Sequence, residues 1–245
     1  ELRKFLDRAE YLRADYESAD FYRTLASRLD ELDARFGLKK KRLFYLATPP
    51  AAFELITEKL KGAGLLFDPK DCGCWSRIII EKPYGSSLET AAALDSGLKK
   101  TASESQIYRI DHFTGKETVQ NILALRAANS VFDETWNNAF IDQVQITVFE
   151  ELGLEGRVNF FERIGLARDM VCHILQLAAI TAMDLPPSFK DADIKLEKRR
   201  FLESIPVLDA ASVPQQVVRA QYDGYLKEPG VAAGHLHDLL DLRRG

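Results

Sequence analysis

Trp75-Ser76-Arg77-Ile78-Ile79-Ile80-Glu81-Lys82-Pro83 decides how the first half of this chain is read. A short apolar run bounded by a breaker suits a buried strand, and the proline stops it. Upstream, Arg42-Leu43-Phe44-Tyr45-Leu46-Ala47 is a second such strand, stopped by Thr48-Pro49-Pro50. Downstream, Ile107 to Ile110 makes a third. Helical periods lie between them. Ser18 to Phe36 places Phe21, Leu25, Leu29 and Leu32 on one face, with Ser18 or Asp20 to cap it and Gly37 to end it. A second helical pattern runs from Ala51 to Leu60. A third starts at Ser86 or Ser87 and carries Leu88, Ala92, Leu94 and Leu98.

Alternating helices and strands predict a parallel sheet covered by helices. Ligands of such sheets sit beyond the carboxyl ends of the strands. All three strands end in polar or proline signals, so neighbouring strands would bring those ends to one crevice. Ordinary X-Pro punctuation is the competing explanation.

The third strand runs into Tyr108-Arg109-Ile110-Asp111-His112-Phe113-Thr114-Gly115-Lys116-Glu117. This run holds a base, acids, cations and a glycine that would allow close backbone approach. It reads either as a cradle for an anionic, hydroxyl-rich ligand or as a charged turn. A helix from Lys116 to Ala128 follows, with Val119, Ile122, Leu123 and Leu125 as core positions. Lys116 then stands near a helix N-terminus, where an anion would also meet backbone N–H groups. Asp142 to Phe149 alternates as a half-buried antiparallel strand. Asp169 to Met183 reads as a buried helix, and Lys195 to Arg200 as a solvated helix face.

Bulk properties narrow the classes. The chain has 245 residues, 46% of them hydrophobic, and a formal net charge of -4. That balance argues against a nucleic-acid partner. No apolar stretch reaches the roughly 20 residues that span a bilayer, so no membrane partner is expected. No signal peptide precedes the first charged residues, and the expectation is a cytoplasmic protein. Cys72-Gly73-Cys74 has no second ligand pair, so no metal site is expected, and the thiols are read as free. His235 and His237 read as part of a frayed terminus.

Taken in order, Arg42 to Pro50, Glu81-Lys82-Pro83-Tyr84-Gly85 and Arg109 to Glu117 resemble the glucose-6-phosphate dehydrogenase family. Trp136-Asn137, Glu155-Gly156-Arg157, Arg168-Asp169 and Val218 to Tyr222 extend the resemblance, which runs from about Ala9 to Val231. It implies an α/β then α+β fold: an incomplete Rossmann-type doubly wound domain over residues 1–112, then a mixed domain with a largely antiparallel sheet over 113–245. It implies oxidation of glucose 6-phosphate at C1, with hydride passing to NADP or, as in some members, NAD. It also implies a homodimer or homotetramer for the full-length protein.

The resemblance further implies roles for matching positions. His173 would be the base that takes the C1 hydroxyl proton, and Asp111 would orient it. Lys82 would serve both coenzyme and sugar, with Pro49 and Pro50 on the coenzyme. His112 and Lys116 would hold the phosphate, with Phe113 beside them. Glu150 and Asp169 would bind sugar hydroxyls.

Three departures qualify this. The family's Gly-x-x-Gly-Asp-Leu-Ala coenzyme turn does not occur in the chain. The chain therefore reads as an internal portion of such a protein, and a catalytically incompetent sugar-phosphate-binding homologue stands as the alternative. Arg168-Asp169 lies one residue closer to His173 than in the family, so Asp169 and His173 would share a helix face and could pair. The tail departs from the family pattern near Val231.

Overall fold

The computed structural model describes residues 3, 6–67, 73–149, 151, 153–158, 166–218, 220 and 223–231, the side chains of residues 133 and 166–169 excepted. The chain divides into two units, Glu1–Ile110 and Asp111–Gly245.

The first unit alternates as expected. Helix α1 spans Ala19–Phe36, with the Ser18 hydroxyl accepting from the Phe21 N–H and Gly37 closing it at φ 67°. Then come β1 (Lys41–Leu46), α2 (Phe53–Gly62), β2 (Trp75–Ile80), α3 (Leu88–Thr101) and β3 (Ile107–Arg109). The strands lie in the order β1-β2-β3, all parallel, with Leu46 opposite Ile80 and Ile80 opposite Arg109. The carboxyl ends of all three strands therefore fall on one edge of the sheet. Phe53, Ile56, Leu60, Ile78, Ile80 and Leu98 pack its core. The periodicity of α3 misleads at its start. Leu88 is 83% exposed and Ala92 is exposed as well, because the inward stripe runs through Ala91, Leu94 and Leu98.

Two buried polar groups tie the elements together. Arg42 points back from β1 to α1 and donates to Asp33 at 2.6 Å and Asp30 at 2.5 Å. Gln106, just before β3, donates to the Phe67 carbonyl at 2.8 Å and the Ser76 hydroxyl at 3.0 Å. That hydroxyl in turn accepts the Phe67 N–H at 2.7 Å.

The second unit is helical among the described residues: α4 (Glu117–Ala128), α5 (Ser130–Thr135), α6 (Leu166–Ala182), α7 (Asp191–Ser204) and α8 (Val213–Gln216). At Asp142 to Phe149, where an antiparallel strand is expected, residues 141–149 have no ladder partner among the described residues. Alternation makes a segment able to pair; pairing needs a neighbouring strand to take its N–H and C=O groups. No described helix is long and apolar enough to cross a membrane.

Packing in this unit also departs from simple periodicity. On α4, Val119 is buried, but Leu125 is exposed and its neighbour Arg126 is 5% exposed. The Arg126 guanidinium donates to the carbonyls of Ile180, Thr181 and Met183 at the end of α6. Trp136 donates its indole N–H to the Thr181 carbonyl at 2.7 Å. Helix-end carbonyls lack intrahelical partners, which is why a cation displaces a leucine here. Cys74 is disulfide-bonded, a correction to its reading as a free thiol; Cys172 is free and exposed.

Candidate active site

At the carboxyl edge of the first unit, Glu81 to Gly85 follows β2 through a cis Lys82–Pro83 bond. Tyr84 packs against the core and donates to Asp95 at 3.2 Å. Burial pushes its phenol pKa up. The Arg109 guanidinium lies over the Tyr84 ring at 4.9 Å and donates to Glu104 at 2.7 Å, joining the ends of β2 and β3. Gly85 sits at φ 80°, and a Cβ there would lie 2.5 Å from the Ala91 nitrogen. Only glycine fits that approach. Lys82 is thus a half-buried side chain on a fixed turn. After β1, Pro49 and Pro50 are exposed, and the buried Thr48 hydroxyl beside them has no hydrogen-bond partner among the described residues.

The second unit opens with Asp111. Its side chain accepts the Phe113 N–H at 2.9 Å, and its carbonyl accepts the Thr114 hydroxyl at 2.8 Å. This tight turn leads to Lys116, which precedes α4 and makes no side-chain cap hydrogen bond. Gly115 is not crowded by the protein around it. A Cβ there would meet only the His112 carbonyl, at 3.5 Å.

From α6, His173 reaches this turn. Its Nδ1 lies 2.7 Å from Asp111 Oδ1, and the imidazole is 2% exposed. The Phe113 ring stacks on it, with centroids 4.1 Å apart and planes at 18°. The His112 ring meets it edge-on at 4.6 Å. Lys116 Nζ sits 4.0 Å from the Phe113 ring centroid. One side-chain N or O atom each of Asp111, His112 and His173 falls within 4.8 Å of the others.

The structure therefore gathers Asp111, His112, Phe113, Lys116 and His173 in one unit. Asp169 lies on α6, but its side chain, like the whole of Glu150, falls outside the described residues, so its pairing with His173 is not described. The acid on the His173 ring is Asp111. Chemically, a carboxylate on Nδ1 fixes the imidazole's tautomer and orientation. Sequence reasoning placed Thr48 among the strand-ending signals but gave its hydroxyl no role. It also missed Lys198, whose half-burial a charged run conceals.

Residues 1–121 match the family described as glucose-6-phosphate dehydrogenase, NAD binding domain, and residues 123–237 match glucose-6-phosphate dehydrogenase, C-terminal domain. The chain belongs to the glucose-6-phosphate dehydrogenase family. The glucose-6-phosphate 1-dehydrogenase of Chlamydia muridarum is 43% identical over 215 residues, 86% of this chain and 41% of that protein. Glucose-6-phosphate 1-dehydrogenase 2 of Mycobacterium tuberculosis is 41% identical over 213 residues, again 86% of this chain and 41% of that protein.

Two solved structures of this family overlay closely. The Mycobacterium avium glucose-6-phosphate 1-dehydrogenase gives a TM-score of 0.80 at 35% identity, covering 94% of this chain and 47% of that one. A glucose-6-phosphate dehydrogenase in complex with its substrate glucose 6-phosphate gives 0.81 at 31% identity, covering 94% and 48%. The chain spans about half the length of the family members it matches.

Proposed function

We propose that this chain provides the sugar-phosphate-binding and proton-transfer part of a glucose-6-phosphate dehydrogenase. The observation that carries this is the 2.7 Å pair between His173 Nδ1 and Asp111 Oδ1, beside His112 and Lys116. His173 takes the C1 hydroxyl proton at its other ring nitrogen, and Asp111 keeps the ring aligned and stabilises the imidazolium that forms. Lys116 and His112 hold the phosphate. Lys116 stands where α4 presents its first N–H groups, so an anion there gains both kinds of donor. Glu150 and Asp169 take the sugar hydroxyls.

The coenzyme, NADP or NAD, accepts the C1 hydride when bound. Lys82, Pro49 and Pro50 would help hold it, and the unpartnered Thr48 hydroxyl at the same sheet edge fits a polar ligand there. We further propose a domain boundary after residue 112 and an antiparallel sheet in the second domain that Asp142 to Phe149 joins. A cytoplasmic location and a homodimeric or homotetrameric assembly of the full-length protein complete the reading.

Titration calorimetry with glucose 6-phosphate tests it first. Binding is expected, and Lys116→Ala should weaken it about ten- to a hundredfold, the worth of a charge-assisted contact. Unchanged affinity would remove Lys116 from the phosphate site. NADPH absorbance on adding NADP then separates turnover from binding alone. A flat trace with a folded, sugar-phosphate-bound chain would favour the binding homologue.

A further inference from the structure

Three side chains of the second unit have the composition of a metal centre. Asp111 and His112 belong to the turn before α4, and His173 comes from α6. One donor atom of each lies within 4.8 Å of the others. The sequence draws attention to Cys72-Gly73-Cys74 instead, but Cys74 is disulfide-bonded.

Tetrahedral zinc holds nitrogen and oxygen ligands at about 2.0–2.2 Å, which sets neighbouring ligands roughly 3.4 Å apart. The widest pair here therefore has to close by at most about 1.4 Å. His112 is exposed, so its ring is able to make that movement. Asp111 and His173 stand closer than two ligands do, at 2.7 Å. An ion entering there takes the place of the hydrogen they share, and the pair opens slightly. Phe113, stacked on the His173 ring at 4.1 Å, supports the ring from one face.

Donor type decides which ions fit. Two imidazoles and one carboxylate suit a borderline ion such as Zn²⁺, Co²⁺ or Ni²⁺. They do not suit Mg²⁺ or Ca²⁺, which take oxygen ligands. Charge alone gives little attraction, because the site holds one carboxylate and Lys116 Nζ lies 4.0 Å from the Phe113 ring centroid. The imidazole bonds have to supply the affinity. Burial is graded across the three: His173 is buried, Asp111 half-buried and His112 exposed. An ion can enter from the His112 side, and three protein ligands leave its fourth position to water.

We propose that Asp111, His112 and His173 form a binding site for a borderline divalent transition-metal ion, and that the bound ion excludes the sugar phosphate. The site stands on geometry and donor type. The exclusion rests on the reading of His112 as a phosphate ligand and His173 as the base. On that reading the ion occupies two groups the substrate needs. It is an inhibitor that competes with substrate and takes no part in the chemistry.

The test is titration calorimetry of the whole chain with zinc chloride, without reductant. His235, His237 and the exposed Cys172 can take zinc themselves. The chain used therefore carries His235→Ala, His237→Ala and Cys172→Ser. A single zinc should bind, and the NMR signals of the His112 and His173 rings should both move. Magnesium chloride should give neither an isotherm nor a shift. His112→Ala in the same background should weaken zinc by more than the roughly 10–100-fold that loss of an outer-sphere partner costs. His112 is exposed, and a dispersed spectrum checks that the variant is folded. With free zinc at about ten times its dissociation constant, glucose 6-phosphate should bind about tenfold more weakly, by mass action.

No zinc binding, or binding that His112→Ala leaves unchanged, overturns the proposal. Equal binding of magnesium does so too, since it would mark a charge effect. If zinc moves both rings but leaves glucose 6-phosphate affinity unchanged, the exclusion is overturned and the metal site stands. If the zinc-free chain fails to bind glucose 6-phosphate, the substrate reading falls, and the metal site is still decided by His112→Ala.

Discussion

At the carboxyl edge of β1–β3, motif residues are held by sterics and by charge near solvent: Gly85 against Ala91, Arg109 between Tyr84 and Glu104. Around His173 the holding is different. A single carboxylate oxygen meets both an imidazole and a backbone N–H, and two aromatic rings close over that imidazole. Damage to the first region should act on stability, because its contacts join strands. On the proposed function, damage to the second should act on chemistry, because its contacts would set where one proton goes.

Asp111→Asn breaks the comparison most sharply. On the proposed function it should lower kcat for glucose 6-phosphate oxidation by about 10²–10⁴-fold, the scale seen when a histidine loses its orienting acid. The rate of NADPH formation reads this, and denaturant midpoints should barely move. A large stability loss would show that Asp111 chiefly holds its turn together.

Gly85→Ala should do the reverse. A Cβ 2.5 Å from a backbone nitrogen at positive φ costs on the order of 3 kcal/mol. Urea unfolding of the chain checks it. Gln106→Leu should cost about 1–3 kcal/mol by the same measurement, since it removes a donor from the buried Ser76 hydroxyl and from the half-buried Phe67 carbonyl.

The smallest effect concerns acid. Asp30, Asp95 and Glu104 are held below ordinary carboxyl values, chiefly by hydrogen bonds from Arg42, Lys99 and Arg109. Lowered folded values mean that these pairs stabilise fully above the unfolded values near pH 4, and that this is lost as pH falls through the folded ones. Melting temperature should therefore drop between about pH 5 and pH 3. Salt should blunt the change, because these carboxylates are partly exposed. A flat profile would mean that the strand-joining charges contribute nothing.

Much of the first unit was legible because its signals are local. Ser18 and Gly37 bracket α1, Ser87 caps α3, and each strand stops at a breaker or polar turn. The pairing of Asp111 with His173 was reached only through resemblance, since 62 positions separate them. Arg126 and Lys198 escaped because each is turned inward by a neighbouring helix: one by carbonyls that lack donors, the other by the half-buried stripe it shares with Ile194 and Phe201 on α7. Long cationic side chains bury their stems readily, so a run of charges does not tell which face meets solvent. Asp142 to Phe149 shows the converse, a strand pattern that waits on a partner.

The Arg126 clamp has a mechanical consequence. It grips α6 at Ile180, Thr181 and Met183, and Trp136 adds a second hold on Thr181. His173 stands two turns back, about 10 Å along the axis. A helix pinned at one end behaves as a lever with a fixed fulcrum. Twisting at the clamp would swing the imidazole around the axis, while sliding would shift it lengthwise. The guanidinium resists both, so the aim of the His173 ring depends on a residue too distant to touch it.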